Sequence, residues 1–422
     1  MDVRFLLKHN SLPVLVYKAF CRPACCIAYA IASLFPVRKT AVFVSTPDYA
    51  DNARALSDYI RDDKRFSDIN IVWLVGSEGA KAEIASDGVR CYSLRCGVTG
   101  PVAAFLAGAA KYVFFTHGFF PSYYKIRRDQ LVVNLWHGCG YKYVPPSHVP
   151  FSYALVPGEL FIDVKAKSFS CERDRILPIG YPRYDRMMRP SMGAGEVRCA
   201  LKLPVENRLV LWLPTFRKSI RKDYAEGSLE SVLGLPLIFD ENELLELDDV
   251  CKKLGIILVV KRHPSQRVYA IEQLAPRLSN IIFLSQEDLV TAHVDLYELF
   301  AASDALISDY SSAAVDYLLL DRPLGYVLDD FDKYASARGF CLKNITDYMP
   351  GAHIMTTQDL ADFLASIAGG EDKYSPYRAK VSSLVHNPCD GYCERVVEWV
   401  LSLTPPPLGS AMTADEKKGI RR

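Results

Sequence analysis

The sequence predicts an α/β protein built from two doubly wound, Rossmann-like domains facing a cleft. Three observations carry this: a length of 422 residues, strand-like runs alternating with helical patterns, and a Gly/Pro-bearing break near the middle. At about 100–200 residues per domain, such a chain exceeds one ordinary core and suits two. Half the residues are hydrophobic and 11% are aromatic, which describes a packed globular protein rather than a disordered one.

The first series of apolar runs lies at residues 41–45, 71–76, 89–94, 112–116, 131–136, 153–156 and 176–179. Short β-rich runs separated by helical patterns indicate βαβ units and a parallel sheet. A second series follows at 209–213, 256–260, 281–284, 305–307 and 324–327. Between them, residues 187–207 hold Pro190, Gly193, Gly195 and Pro204 and are read as the linker. The expected division is an N-terminal α/β domain over 41–190 on the acceptor side, a nucleotide-binding α/β domain over 205–404, and a disordered tail over 405–422.

Residues 1–40 are expected to form an amphipathic segment that associates with a membrane surface. Arg4, Lys8, Lys18, Arg22, Arg38 and Lys39 stand among Leu, Val, Phe and Tyr, which suits an element lying in an anionic interface. The longest clean apolar run, 24–35, is shorter than the ~20 residues a spanning helix needs. An ordinary helix packed on the domain is the alternative.

Fifty basic and 49 acidic side chains leave a net charge of +1, which argues against a dedicated nucleic-acid binder. The 12 cysteines lack paired CxxC spacing, so neither a zinc site nor a disulfide framework is indicated, and reduced cytosolic thiols are expected. No GxxxxGK[ST], HExxH or GxSxG pattern occurs, which weighs against P-loop NTPases, zincins and α/β-hydrolases.

Ligands of open α/β sheets sit beyond the carboxyl ends of the strands, so the residues directly after each run are the candidates. The stretch NLWHGCGYK places His137 after a strand, followed by Gly138, Gly140 and Lys142. A neutral imidazole there can take a proton from an attacking hydroxyl, and glycine lets backbone approach a ligand closely; a structural histidine is the other reading. VVKRHP places Lys261, Arg262 and His263 after a second strand, where they can neutralise charge on a transferring phosphoryl group or simply form a solvated basic turn. ALISDYSSAAVDY runs a strand into Ser308, Asp309, Ser311 and Ser312 and then a helix, which suits a pyrophosphate as well as plain N-capping. Weaker signals are Arg217 in LPTFR, Arg183 in GYPRYD, and Arg338-Gly339-Phe340.

In order, NLWHGCGYK, IGYPRYD, LWLPTFR, VVKRHP, LISDYSSAAVDYLLLDRPLGYV and RGF with Pro350-Gly351 resemble the CDP-glycerol glycerophosphotransferase family of teichoic-acid and capsule polymer primases and polymerases. The resemblance spans roughly residues 132–395. It implies a GT-B-like fold acting at the cytoplasmic face of the cell membrane as a peripheral enzyme, with no cofactor and no metal. His137 is implied as the base and His263 as acting on the phosphates, with Asp309, Ser311 and Ser312 lining the donor pyrophosphate. Arg217 and Arg322 occupy motif positions and are expected with Lys261, Arg262 and Ser308 to bind the donor phosphates, and Gly138, Lys142 and Arg183 fall on the acceptor side. The sequence departs from the family at Cys139 and Gly140, where a small residue and a proline are usual, and at Lys218, where an aspartate is usual.

The implied reaction moves glycerol phosphate, or a related polyol phosphate, from a CDP-alcohol to a hydroxyl of a polymer or lipid-linked acceptor, releasing CMP. A GT-B glycosyltransferase with a nucleotide-sugar donor and a non-catalytic nucleotide- or polymer-binding module are the alternatives.

Overall fold

The computed structural model describes residues 20–94, 100–118, 124–214, 233–261 and 269–403. Residues 1–19 of the amino-terminal segment, the tail, and the expected site residues Arg217, Arg262 and His263 lie outside them.

Thirteen described strands form two parallel sheets. The first contains β1 (Arg38–Val44), β2 (Asn70–Val75), β3 (Arg90–Ser93), β4 (Ala110–Phe115), β5 (Leu131–Asn134), β6 (Tyr153–Leu155) and β7 (Ile176–Leu177). Their order is β3-β2-β1-β4-β5-β6-β7. The second contains β8 (Arg208–Trp212), β9 (Ile256–Lys261), β10 (Ile281–Leu284), β11 (Ala305–Ser308), β12 (Leu324–Val327) and β13 (Ala352–Ile354). Their order is β10-β9-β8-β11-β12-β13. Each order reverses once, between β1 and β4 and between β8 and β11, and these reversals open the crevices where ligands bind.

Side-chain alternation explains the layering. On β8, Leu209 and Leu211 face the core shared with the first sheet, while Val210 and Trp212 face a separate cluster with Leu244, Leu247 and Phe363. Ile257 and Val259 of β9 divide from Leu258 and Val260 in the same way. Both faces are therefore buried, as a parallel sheet requires, and its strands read as continuous apolar runs.

The residues expected as a linker are folded. Ala194–Ala200 is a helix, and its Arg198 guanidinium donates to the carbonyls of Val205 (3.3 Å), Asn207 (2.7 Å) and Ala302 (3.1 Å) and pairs with Asp304 (3.0 Å). The last described helix, Tyr392–Ser402, was expected in the second domain but returns to the first. The N–H groups of Tyr392 and Cys393 donate to Asp185 at 2.8 Å each, Glu394 pairs with Arg65 at 2.9 Å, and Trp399 packs edge-on against Tyr153 of β6.

The helix Arg22–Ser33 packs on the first domain through Cys25, Tyr29 and Ala32. For these residues the packed-helix alternative holds, and among the described residues no helix is long and apolar enough to cross a membrane.

Candidate active site

The site begins where β4 and β5 end side by side. After β5 the N–H of Trp136 donates to Asn134 Oδ1 at 3.0 Å, and Trp136 takes a left-handed conformation with φ +55°. Such a conformation costs a non-glycine residue about 1–2 kcal/mol and persists only where the surroundings impose it. Here Asn52 imposes it. Fully buried, Asn52 donates through Nδ2 to the carbonyls of Leu135 (3.2 Å) and Trp136 (2.8 Å).

The turn delivers His137 half-buried, with Nδ1 3.3 Å from the Thr116 carbonyl at the end of β4. A carbonyl only accepts, so Nδ1 carries the proton and Nε2 keeps its lone pair. Burial first, and the neighbouring His117 second, hold the His137 pKa well below the usual histidine value. Neutral at pH 7 with Nε2 unprotonated, the ring has the state a general base requires.

The loop carrying His137 meets the second domain directly. Gly138 adopts φ +129°, and a Cβ built on it would stand 2.5 Å from Ser312 Oγ. A Cβ on Gly140 would stand 2.7 Å from the Ser312 backbone nitrogen. Both glycines are therefore demanded by the approach of the helix Ser312–Tyr317, whose N-cap Ser311 accepts from the Ala313 N–H at 3.3 Å. The capping reading of Ser311 thus holds. The Ser308 hydroxyl, at the end of β11, is buried with no hydrogen-bond partner among the described residues, and Asp309 beside it is also buried.

Lys261 ends β9, two strands from β11 in the same sheet. Its side chain is buried, and burial pulls its pKa down to about 8 against the opposing pull of Asp295.

Two residues expected to bind substrate are engaged in the scaffold. Arg183 is buried; Nη1 donates to Asp51 (2.6 Å) and the His137 carbonyl (3.0 Å), and Nη2 to Asp316 (2.6 Å). It joins the loop of His137 to the helix Ser312–Tyr317. Arg322 donates through Nη1 to the carbonyls of Phe300 (3.4 Å), Ala301 (2.7 Å) and Ser303, closing the carboxyl end of the helix Leu296–Ala302. Lys142 bridges antiparallel to Phe340, with the Tyr143 N–H donating to Gly339 O (3.1 Å) and the Cys341 N–H to Tyr141 O (2.9 Å). The Arg338-Gly-Phe motif therefore ties the two domains together.

Sequence reasoning missed His117, Asn52, Lys165 and Asp316. His117 had a signal, since it directly follows a strand run just as His137 does. Asp316 lay inside a motif already singled out, whereas nothing local marks Asn52 or Lys165. Lys165 is buried with its ammonium 4.5 Å from the Trp136 ring centroid, a cation–π contact behind the base. Among the described residues no group of three or more His, Cys, Asp or Glu is arranged to hold a metal.

Two doubly wound sheets, each with strand ends bearing polar motifs at or beside its switch point, and a neutral histidine on one set against a serine-bearing helix of the other, define a GT-B-like, two-domain group-transfer fold. The family described as CDP-glycerol:poly(glycerophosphate) glycerophosphotransferase matches residues 27–402, and the chain belongs to it.

The chain is 28% identical over 248 residues to the teichoic acid ribitol-phosphate primase of Bacillus spizizenii, covering 53% of this chain and 58% of that one. It is 27% identical over 285 residues to the teichoic acid poly(glycerol phosphate) polymerase of Staphylococcus epidermidis, covering 60% of this chain but 36% of that one. It thus spans well under two thirds of either relative. A teichoic acid poly(glycerol phosphate) polymerase of Bacillus spizizenii is matched more fully, at 23% identity over 86% of this chain and 90% of that one. The structure of the wall teichoic acid polymerase TagF shares the fold, with TM-score 0.66 and 20% identity over 95% of this chain and 97% of that one.

Proposed function

We propose that this protein transfers a glycerol-phosphate-type unit from a CDP-activated polyol to a hydroxyl of a teichoic-acid-like polymer or its lipid-linked precursor. The observation that carries the reading is the placement of His137, neutral and with Nε2 as its proton acceptor, on a loop packed against Ser312 at the start of the second domain's helix. In the proposed step the acceptor O–H gives its proton to His137 Nε2 and the oxygen attacks the β-phosphorus. The bond from that phosphorus to the bridging oxygen breaks, and CMP leaves with the electron pair. Phosphoryl transfer depends chiefly on positioning and electrostatic stabilisation. Lys261 supplies positive charge on the donor side, together with Arg262 and His263 beyond the described residues. Relatives named for both glycerol-phosphate and ribitol-phosphate transfer support testing both polyols.

The acceptors in this reading are polymers or lipid-linked chains, so the enzyme works at a membrane surface. Support comes from the helix Arg22–Ser33, whose outward side leaves Ile27, Ile31 and the following Leu34 and Phe35 exposed.

CMP release from CDP-glycerol, CDP-ribitol and a UDP-sugar, with an oligomer or lipid acceptor, tests the reaction beside the His137→Ala protein. The expected result is CMP from one CDP-polyol, reduced at least about 100-fold in the variant, as loss of a general base requires. UDP release with no CMP would instead assign a glycosyltransferase, and full CMP release by His137→Ala would remove His137 from the chemistry.

A further inference from the structure

We propose that His117 is a positioning residue for the transfer: stacked face to face on His137, it fixes the ring orientation that leaves His137 Nε2 as the proton acceptor. The two imidazoles are nearly parallel, with centroids 3.9 Å apart and planes 6° from one another. Two consecutive residues thus grip the base, Thr116 through its carbonyl on Nδ1 and His117 across the ring face. The Trp136 ring, 4.0 Å away and tilted by 38°, also packs against the base.

His117 is itself held. Its Nδ1 lies 2.9 Å from Thr116 Oγ1, which accepts the Thr46 N–H at 3.2 Å from the end of β1. With that lone pair engaged, the threonine O–H is available to donate to His117 Nδ1. The chain of contacts runs from the β1–β4 switch point through Thr116 and His117 to the base on the loop after β5.

The arrangement also has an electrostatic consequence. Charging both rings at this spacing is disfavoured, and His117 is one of the groups that hold the His137 pKa down, after burial. Lys165, over Trp136, and Arg183, on the His137 carbonyl, bring further positive charge to the same loop, with Asp51 and Asp316 bound to Arg183. Removing the titratable ring at 117 therefore makes His137 easier to protonate. Because the base must be unprotonated, the acid limb of the rate profile then moves to higher pH.

The inference rests on His137 being the base of the proposed transfer, so the full-length protein is assayed as wild type, His137→Ala, His117→Ala and His117→Phe. Turnover of the CDP-polyol that the enzyme accepts is followed from about pH 5 to 9. His117→Ala is expected to lower kcat about 10- to 100-fold, the loss typical of a misplaced catalytic group, with donor KM changed by less than about threefold. His117→Phe keeps a flat ring and is expected to recover most of kcat at alkaline pH, with its acid limb displaced upward. Wild-type kcat and acid limb in both His117 variants, with His137→Ala inactive, would overturn the inference while leaving the base in place. Turnover by His137→Ala would overturn the base assignment and the inference with it.

Discussion

Lys261 shows how one side chain's surroundings set a measurable property. It is the last residue of β9, all six residues of which are buried, so its ammonium has been drawn out of water by the strand that carries it. Burial disfavours the charged form and brings the pKa to about 8, with Asp295 opposing. The direction fixes the sign of the effect: the cation is present below that value and is lost as pH rises through it. If Lys261 contacts donor phosphate, donor KM should be flat below about pH 7 and rise above pH 8 by up to about tenfold per unit, as a single titrating contact allows. Lys261→Met should raise KM at neutral pH and abolish that slope. An alkaline slope that survives in Lys261→Met would assign it to another group. Single residues of this kind were legible because they follow apolar runs, as His137 and Lys261 both do. The protein contacts of Arg183 and Arg322 were not legible for a physical reason: an arginine in a motif signals a rigid fork of donors, and sequence does not reveal which carbonyls and carboxylates of the protein that fork meets.

At the scale of elements, the strands of both sheets were readable from composition except β13. Its three residues, Ala352–Ile354, follow Pro350 and Gly351 and are interrupted by His353, so no apolar run marks them, and only pairing with β12 makes them a strand. The helix Arg22–Ser33 was harder, because the apolar character that suggested an interface also serves packing. Cys25, Tyr29 and Ala32 form the buried stripe, with Tyr29 so close to the helix Pro101–Ala109 that a Cβ on Gly108 would stand 2.9 Å from its ring. Ile27, Ile31 and Leu34 recur at the same spacing on another side, and Ile27 and Leu34 are 60% and 80% exposed. Among the described residues this second stripe does not pack on the domain, and in the proposed membrane-surface role it would face the lipid boundary. Burying such a side chain is worth about 1.5–3 kcal/mol. Ile27→Asp with Leu34→Asp should therefore lower binding to anionic vesicles by at least about tenfold in a flotation assay, without lowering turnover of a water-soluble acceptor. Unchanged flotation would assign the stripe to some other contact.

At the scale of the molecule, the two sheets are held together by contacts that the sequence does not display, because the pairs that cross between them lie more than a hundred positions apart. One is the cluster around Asp316. Oδ1 accepts from Tyr184 Oη (2.6 Å), while Oδ2 accepts from Tyr297 Oη (2.5 Å) and Arg183 Nη2 (2.6 Å). Arg183 in turn holds Asp51 and the His137 carbonyl, so the second domain's helix and the loop of His137 share one guanidinium. The bridge between Lys142 and Phe340 and the returning helix Tyr392–Ser402 close the same junction at other points. Since His137 and the donor-side strands belong to different sheets, their relative placement is a property of this junction. Arg183→Lys keeps the charge but loses the fork, and one ammonium cannot reproduce three contacts held by two nitrogens. Breaking a buried pair on one side typically costs about 3–5 kcal/mol, so the variant should melt at a lower temperature. Its kcat should fall further than the unfolded fraction explains, because misplacing the base slows the step even in folded molecules. Asp316→Asn retains hydrogen-bonding groups without the charge and should show the same pairing of effects, more weakly. A lowered melting temperature with unchanged kcat in both variants would make the cluster a fastener only, with the base held in place by Thr116, His117 and Asn52 alone.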